Sequence, residues 1–397
     1  MFDFDCPVER RHTDSEKWDG CATRFGRSGL VPLWVADMDF SAPPAVVQAL
    51  VERARHPVYG YTMVNDDVLH SLIDWLQARF DWQPAPRHIV LAPGVVPSIH
   101  AAVQAYTLPG DGVIVQTPVY APFMQAVRTL GRSILENPLI LRETAGRLHY
   151  EMDLAGLEQL ARQGARMLLL CSPHNPVGRV WREDELRDVL VIARRYGLVV
   201  FADEIHADLV YPGERQIPLA TLASEDDQLL TAVAPSKTFN LPGLGLSAVI
   251  ASDPLLQEKF RHVLTGWHWS AGNPFSLTGW MAAYRHGAAW LDALLVYLQR
   301  NRDDAAAAIV EQWPGVRPVL PQGTVLMWLD CRQLGMDDAA LQHWFVHHCG
   351  LALSPGILFG APGRGFMRLN LATPRQRLLQ AIEQCGRVAF PSFRQGC

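Results

Sequence analysis

The sequence predicts an α/β fold, in which a large domain with a mainly parallel sheet flanked by helices joins a smaller α+β domain. Short apolar runs rich in Val, Ile and Leu alternate with longer segments of helical periodicity, a pattern typical of parallel strands joined by crossover helices. Near Ser276 a long helical stretch replaces this alternation, and strand-like pieces follow it. The alternation predicts the sheet, and the change near Ser276 predicts where the large domain ends.

Six apolar runs are predicted to form strands of the large domain. Each is rich in the aliphatic residues that fill a strand buried on both faces of a sheet. The runs are HIVLA (88–92), GVIVQ (112–116), RMLLLCS (166–172), LVVFADE (198–204), LLTAVA (229–234) and LSAVIAS (246–252).

The stretch 276–313 has apolar positions three and four residues apart and few strong breakers, so we predict one long helix leaving the core. Beyond Pro314, the segments TVLMWLD and GFMRLNL surround a helical segment near 337–349 and predict the α+β domain. The predicted division is an N-terminal segment that packs with the small domain (1–45), the large domain (46–284) and the small C-terminal domain (285–397).

Composition restricts the classes of partner. Of the 397 residues, 49% are hydrophobic and 19% are charged, as in an ordinary globular protein. The net charge of −5 provides no basic field for a polyanion, and no apolar stretch reaches the roughly 18 to 20 residues of a membrane span. Neither nucleic acid nor a membrane is therefore expected as a partner. No signal peptide is recognised, and seven scattered cysteines without a CxxC pair predict reduced thiols in a cytoplasmic protein.

Polar residues follow three predicted strands, at the edge where an open parallel sheet binds ligands. Asn175 follows RMLLLCS, Asp203 ends LVVFA, and Lys237 follows LLTAVA. Each alone has a structural explanation, because Asn, Pro and Gly form turns, Asp caps helices and lysine is usually solvated. Their order and spacing argue for a shared site.

The motifs Asn-Pro-x-Gly, Asp-Glu and Ser-Lys, about thirty residues apart, resemble those of fold-type I pyridoxal 5′-phosphate (PLP) enzymes, the aminotransferase superfamily. This resemblance extends over nearly the whole chain. Further segments look like the carbon–sulfur β-lyase branch, the cystathionine β-lyase and cystalysin group: PLWVADMDF (32–40), VYGYT (58–62), TPVYAPF (117–123), LLLCSPHNPVGRVW (168–181), DEIHADLV (203–210), SKTFN (236–240), GAAWLDALLVYL (287–298) and GRGFMRLN (363–370).

The resemblance implies α,β-elimination on cysteine thioethers such as cystathionine, which gives a thiol, pyruvate and ammonia. PLP would be the cofactor, held covalently by Lys237, and the protein would be a homodimer with shared active sites. A PLP-dependent aminotransferase is the alternative, since the same residues serve both reactions. A PLP-binding regulator without turnover is a third possibility.

The resemblance also implies the residues around the cofactor ring. Asp203 would hold the protonated ring nitrogen, and the Asn175 amide would donate to the phenolate oxygen. His206 stands where many aminotransferases have a tyrosine near that oxygen, with a structural histidine as the alternative. Tyr120 would stack on the ring, unless it is a core tyrosine, and with Lys237 it is an expected catalytic residue.

The cofactor phosphate is expected at the helix N-terminus after HIVLA, where unpaired N–H groups and the helix dipole favour an anion. Val95 and Val96 would contribute backbone contacts there. Ser236 is the remaining hydroxyl, because Ala234 and Pro235 stand where relatives often have a serine.

Arg368 in GFMRLN matches the arginine that binds the substrate α-carboxylate, a task suited to two parallel N–H groups and a permanent charge. Asn175 and the backbone near Ala36 and Asp37 would complete this substrate site. Tyr61 matches the tyrosine that reaches the phosphate of the neighbouring subunit, which is why a dimer is expected.

Two other segments carry residues that could bind a metal or a substrate. His343–Cys349 has histidines four residues apart, but it lacks the glutamate of HExxH and a third ligand, so no metal site is expected. Segment 266–273 resembles the region through which dimeric relatives reach across the interface, and it offers Trp267 and Trp269 without a cation. A buried unpaired carboxylate is strongly disfavoured, so we expect uncharged thioether side chains to be preferred over those of aspartate or glutamate. Interface packing by the two indoles is the alternative.

Overall fold

The structure is a computed structural model that describes residues 2–390, so Cys397 and the rest of 391–397 lie outside the described residues. The helices are α1 Cys21–Phe25, α2 Pro44–Arg55, α3 Asp66–Phe80, α4 Val95–Tyr106, α5 Ala121–Thr129, α6 Leu154–Arg162, α7 Glu183–Tyr196, α8 Pro235–Thr238, α9 Pro254–Gly266, α10 Pro274–His286, α11 Ala288–Gln312, α12 Asp338–Trp344 and α13 Arg375–Gly386. The strands are β1 Val31–Pro32, β2 Ile89–Ala92, β3 Gly112–Val115, β4 Ser133–Glu136, β5 Ile140–Thr144, β6 Arg147–Glu151, β7 Met167–Cys171, β8 Val199–Asp203, β9 Leu229–Val233, β10 Ser247–Ile250, β11 Arg317–Val319, β12 Leu326–Asp330, β13 Leu351–Ala352, β14 Ser354–Pro355 and β15 Phe366–Asn370.

The large sheet has seven strands in the order β2-β10-β9-β8-β7-β3-β4. Strands β4, β3, β7, β8 and β9 pair in parallel, whereas β10 is antiparallel to both of its neighbours. The predicted α/β fold with a mainly parallel sheet is confirmed, and the run LSAVIAS is its antiparallel strand. The chain leaves β9, passes through α8 and re-enters the sheet from the same edge, so β10 must run the other way.

The predicted single helix over 276–313 is wrong, because the chain forms α10 and α11 with a break at Gly287. A Cβ on Gly287 would lie 2.3 Å from Cε1 of Phe239 and 2.5 Å from the carbonyl oxygen of Ala283. The fully buried Phe239 ring therefore presses against the backbone at the break. Only a glycine allows this approach.

The smaller sheet has four strands in the order β11-β12-β15-β14, all paired antiparallel. Near the N-terminus, β1 pairs with β13 of this region, so residues 31–32 lie against 351–352. Helix α11 packs against α13 on this sheet, and the Trp313 indole donates to the Ile382 carbonyl at 2.9 Å. The predicted domain boundaries at residues 45 and 284 stay predictions. The predicted small domain also extends beyond residue 390, the last described residue. Between residues 2 and 390, no helix is long and apolar enough to cross a membrane.

The sheet register brings three strand ends together. Cys171 at the end of β7 pairs with Asp203 at the end of β8, and Asp203 also pairs with Ala232 of β9. The loop after β7, the end of β8 and the helix after β9 therefore meet at one edge. Asn240, just beyond α8, joins this edge to the N-terminal segment, since its side chain bonds to the backbone N–H and carbonyl of Met38.

We predict that Gly287→Ala lowers the free energy of unfolding by about 1 to 3 kcal/mol, because the new methyl group must displace a buried ring. The control is Gly266→Ala, at a helix end where a Cβ meets nothing within 4 Å. This control should raise the same free energy by up to about 1 kcal/mol. Urea unfolding of both variants, followed by tryptophan fluorescence, measures the difference. Equal midpoints for Gly287→Ala and the unaltered protein would contradict the explanation of the helix break.

Candidate active site

A cavity of about 480 Å³ opens where the ends of β7, β8 and β9 meet. Ten of the eleven predicted site residues line it, and Tyr61 does not, since it lies fully exposed on the loop between α2 and α3. The ten are Ala36, Val95, Val96, Tyr120, Asn175, Asp203, His206, Ser236, Lys237 and Arg368. The structure therefore gathers residues that are far apart in the sequence, while their individual roles stay predictions.

Lys237 is the lysine of this cavity. The chain has three lysines: Lys17 is fully buried and ion-paired with Asp39 at 3.1 Å, and Lys259 lies exposed on α9. The Nζ of Lys237 donates to the Ala36 carbonyl at 2.8 Å. Burial lowers the pKa of Lys237 to about 8, against the nearby carboxylate of Asp37. A neutral amine is the form that can attack a carbonyl carbon.

Asp203 stands at the end of β8, where it is buried and accepts a hydrogen bond from the N–H of Ile205 at 3.1 Å. Burial raises the pKa of Asp203 to about 7, although this hydrogen bond and the charge of Lys237 act in the opposite direction. A buried carboxylate of this kind gains stability from a cationic or N–H-bearing group in the cavity. The protonated ring nitrogen of PLP is such a group.

Arg368 lies buried on β15, and its guanidinium has no carboxylate partner among residues 2–390. It donates instead to neutral oxygens, at 2.7 Å to the Trp34 carbonyl, 3.1 Å to Asn175 Oδ1 and 3.2 Å to Ser354 Oγ. Burial lowers the pKa of Arg368 to about 10, and its buried Nε has no hydrogen-bond partner in this part of the chain. A buried, oriented cation without a counter-ion is a binding site for an anion.

Asn175, Tyr120 and His206 surround these charges. Because the Oδ1 of Asn175 already accepts from Arg368, its Nδ2 is the donor left for a ligand oxygen. The carbonyl of Asn175 accepts from the N–H of Tyr120 at 3.1 Å, which fixes that residue at the start of α5. Burial lowers the pKa of His206 to about 3, so its ring is neutral, and its Nδ1 has no hydrogen-bond partner within residues 2–390.

The start of α4 provides an anion site of another kind. Gly94 precedes the helix with φ of +150°, and no side chain caps α4. Such a φ favours glycine, and it lets the unpaired N–H groups of the first turn face the cavity. Val95, Val96 and Ser236 lie at this end of the cavity, and their backbone and hydroxyl groups can bind a phosphate. The donors and charges therefore fit each part of PLP.

The N-terminal segment was missed by sequence reasoning, apart from its carbonyl groups near Ala36. Glu16, Arg24 and Trp34 also line the cavity. Only tertiary contacts bring them there, because residues 16–34 have no strand or helix periodicity that would place them beside the sheet. The motif PLWVADMDF (32–40), which contains both Trp34 and the predicted Ala36, was the one available signal.

Asp208 supports the lysine-bearing helix from behind and was also missed, although it lies within the quoted motif DEIHADLV. Its buried carboxylate accepts from the Thr238 hydroxyl at 2.8 Å and from the Trp75 indole at 3.1 Å. Thr238 follows Lys237 directly, so these bonds hold α8 against α3.

Trp267 and Trp269 do not line the cavity of their own chain. Trp269 packs against the hydrophobic core and Trp267 is partly exposed, so a contribution to a neighbouring subunit stays a prediction.

The His343 and His347 rings lie 4.1 Å apart between centroids. Over residues 2–390, no group of three or more His, Cys, Asp or Glu side chains is placed to hold a metal ion.

Comparison with known proteins identifies the family. The pattern of the family described as aminotransferase class I and II matches residues 28–384. The chain belongs to this family. The predicted membership of the aminotransferase superfamily is therefore confirmed.

Individual relatives indicate which branch of the family this chain resembles. Cystathionine beta-lyase PatB of Bacillus subtilis is 40% identical over 369 residues, which cover 92% of this chain and 94% of PatB. Protein MalY of Escherichia coli is 35% identical over 385 residues, covering 96% and 97%. The crystal structure of cystalysin from Treponema denticola, which contains PLP, matches with a TM-score of 0.93 at 33% identity and covers 98% of both chains. The predicted similarity to the carbon–sulfur β-lyase branch is confirmed.

We predict that Lys237 of the cofactor-free protein reacts with trinitrobenzenesulfonate at a rate that rises with pH and reaches half its maximum near pH 8, because burial favours the neutral amine. Mass mapping of labelled peptides measures each lysine separately. Lys17 should stay unlabelled, because it is buried and ion-paired. Lys259 is exposed and serves as the control for a lysine that the reagent reaches freely. A Lys237 midpoint near ~10.4, the value of a free lysine, would contradict the effect of burial.

We predict that Asp203→Asn stabilises the cofactor-free protein at pH 8. The folded-state pKa near 7 exceeds the pKa of 3.8 of an ordinary aspartate, so the contribution of Asp203 to stability is fully present below the lower value and is lost as pH rises from there through 7. Asparagine cannot ionise, so the variant should gain roughly 2 to 4 kcal/mol of unfolding free energy at pH 8 and progressively less towards pH 5. Urea unfolding at both pH values measures this, and a gain that does not depend on pH would refute the argument.

Proposed function

We propose that the protein is a PLP-dependent carbon–sulfur β-lyase that acts on cysteine thioethers such as cystathionine. The observation that carries this proposal is the 40% identity to cystathionine beta-lyase PatB, at 92% coverage of this chain. The cavity supports it with the groups that such a reaction requires: an amine, a buried carboxylate and a buried guanidinium without a counter-ion. Cystalysin, with its PLP cofactor, matches over 98% of this chain.

The cofactor would be held by groups already described. Lys237 would bind it covalently, Asp203 would face the ring nitrogen, and the start of α4 with Ser236 would bind the phosphate. The Nδ2 of Asn175 and the neutral ring of His206 would lie near the phenolate oxygen, and Tyr120 would stack on the ring. When bound, PLP supplies an electron sink for negative charge that develops at the substrate Cα.

The residues of the chain then handle the substrate. Arg368 binds the α-carboxylate through parallel N–H groups, which fixes Cα relative to Lys237. The neutral amine of Lys237, once free of the cofactor, would accept the Cα proton as a general base. Asp203 would hold the ring nitrogen in its protonated form, which would favour removal of the Cα proton. Ala36 orients Lys237 through its carbonyl oxygen.

Cleavage follows from the leaving group. A thiol has a pKa near ~8.5, so a thiolate leaves Cβ readily once the Cα proton has been removed. The electron pair of the former Cα–H bond forms the Cα–Cβ double bond, and the C–S pair departs with sulfur. Hydrolysis of the resulting enamine gives pyruvate and ammonia. The alternative, transamination, would need a keto acid to complete its cycle, and the match to PatB favours elimination.

A homodimer with shared active sites belongs to the same proposal. Support comes from the loop between α2 and α3, where apolar side chains are exposed: Val58 at 63%, Tyr59 at 59%, Tyr61 at 109% and Met63 at 84%. Such a cluster is typical of a surface that another protein covers. A second copy of the chain would cover it and bring Tyr61 to the phosphate of its partner.

We predict that the holoenzyme releases pyruvate and a thiol from L-cystathionine without any added keto acid. Lactate dehydrogenase coupling measures pyruvate, and a thiol reagent measures homocysteine. Borohydride reduction should fix the cofactor on the peptide that contains Lys237, and Lys237→Ala should lose both the fixed cofactor and turnover, because the anchor and the base are removed together. A strict requirement for a keto acid would instead establish the aminotransferase alternative.

A further inference from the structure

Two charged side chains at the cavity have no role in the proposed reaction. Glu16 and Arg24 come from the N-terminal segment and line the cavity together with Arg368 and Lys237. Both are exposed, so they lie at its opening rather than at its base. The negative charge of Glu16 contributes to raising the pKa of Tyr120, so Glu16 is within electrostatic reach of the cavity interior.

Glu16 is held in place by its neighbour. The Lys17 side chain is fully buried, where its Nζ lies 3.1 Å from Asp39 Oδ2 and 3.7 Å from Asp37 Oδ1. The Trp34 indole also donates to the Lys17 carbonyl at 3.0 Å. These contacts fix the backbone on one side of Glu16, so this residue stays beside the opening although its side chain is exposed.

Arg24 is held in a similar way by Phe25. The Phe25 ring packs edge-on against the Trp34 ring, with 5.4 Å between centroids, and both contribute to a small apolar cluster with Leu30 and Val346. Trp34 in turn accepts the hydrogen bond from Arg368 through its carbonyl. The element that orients Arg368 therefore also supports Arg24.

The charges of this pair are not neutralised within the chain. Neither Glu16 nor Arg24 forms a salt bridge or a side-chain hydrogen bond within residues 2–390, whereas nearby Arg10, Lys17 and Asp39 are all ion-paired. Opposite charges on one rim that do not pair with each other can bind the two charges of a zwitterion. An ammonium group would bind the carboxylate, and a carboxylate group would bind the guanidinium.

We infer that Glu16 and Arg24 bind the ammonium and the carboxylate of a second amino-acid group at the far end of the substrate. This inference rests on the proposed function, in which Arg368 and Lys237 hold the near end of a cysteine thioether. The favoured substrate class is then cysteine thioethers or disulfides with two amino-acid ends, such as cystathionine and cystine, over S-alkyl cysteines. Such a distal group has no net charge. This agrees with the expectation that substrates with the acidic side chains of aspartate or glutamate are disfavoured.

The test compares L-cystathionine with S-propyl-L-cysteine. Both have the same cysteine end and a thioether, but S-propyl-L-cysteine has no charged group at its far end. Glu16→Gln and Arg24→Gln should each lower the ratio of kcat/KM for cystathionine to that for S-propyl-cysteine about fivefold, the upper range for an exposed ion pair. For cystathionine, each substitution should raise KM and leave kcat nearly unchanged. Added salt should raise the KM of the unaltered enzyme for cystathionine more than that for S-propyl-cysteine.

Asp14→Asn and Arg128→Gln are matched controls, because both residues are exposed, charged and outside the cavity lining. They should leave the substrate ratio unchanged. An unchanged ratio in Glu16→Gln and Arg24→Gln would overturn the inference, and so would an equal loss for both substrates, which indicates a structural role. If the unaltered enzyme releases pyruvate from neither substrate, the proposed function itself fails, and the two failures are thereby distinguished.

Discussion

The site depends on one electrostatic constraint, the burial of the Arg368 guanidinium without a carboxylate in the described chain. Only neutral oxygens orient it, from Trp34, Asn175 and Ser354. A buried charge is costly when it is unpaired, so binding of an anion next to the Arg368 guanidinium is favourable. Had a chain carboxylate paired with Arg368, it would compete with any anionic ligand.

The partners of Arg368 also explain why the site needs the whole fold. Trp34 belongs to the N-terminal segment, Ser354 to β14 of the smaller sheet, and Asn175 to the loop after β7 of the large sheet. Asn370, two residues beyond Arg368 on β15, donates to the Asp37 carbonyl at 2.7 Å and so fixes the segment that carries Ala36. The geometry of the cavity is therefore set where three separate parts of the chain meet.

The sequence predicted the features that depend on local pattern or on quoted motifs. Buried strands such as β7 and β8 appeared as apolar runs, whereas β4 at the sheet edge was missed because its residues are partly exposed. The direction of β10 and the break at Gly287 depend on contacts with distant residues, the pairing with β9 and the ring of Phe239. Glu16 and Arg24 were missed for the same reason, since buried neighbours and not their own segment's periodicity place them at the cavity.

Burial acts on all the ionisable groups of the site in the direction that suppresses charge. It raises the pKa of Asp203 to about 7 and lowers the pKa values of Lys237 to about 8 and His206 to about 3. Without a ligand, His206 is therefore neutral at physiological pH, whereas Asp203 and Lys237 titrate close to that pH, so a small change in free energy can charge or neutralise either group. A ligand with a protonated ring nitrogen would favour the ionised form of Asp203, and a carbonyl carbon would react with the neutral form of Lys237. The same desolvation that weakens the empty fold thus prepares both groups for the cofactor that we propose.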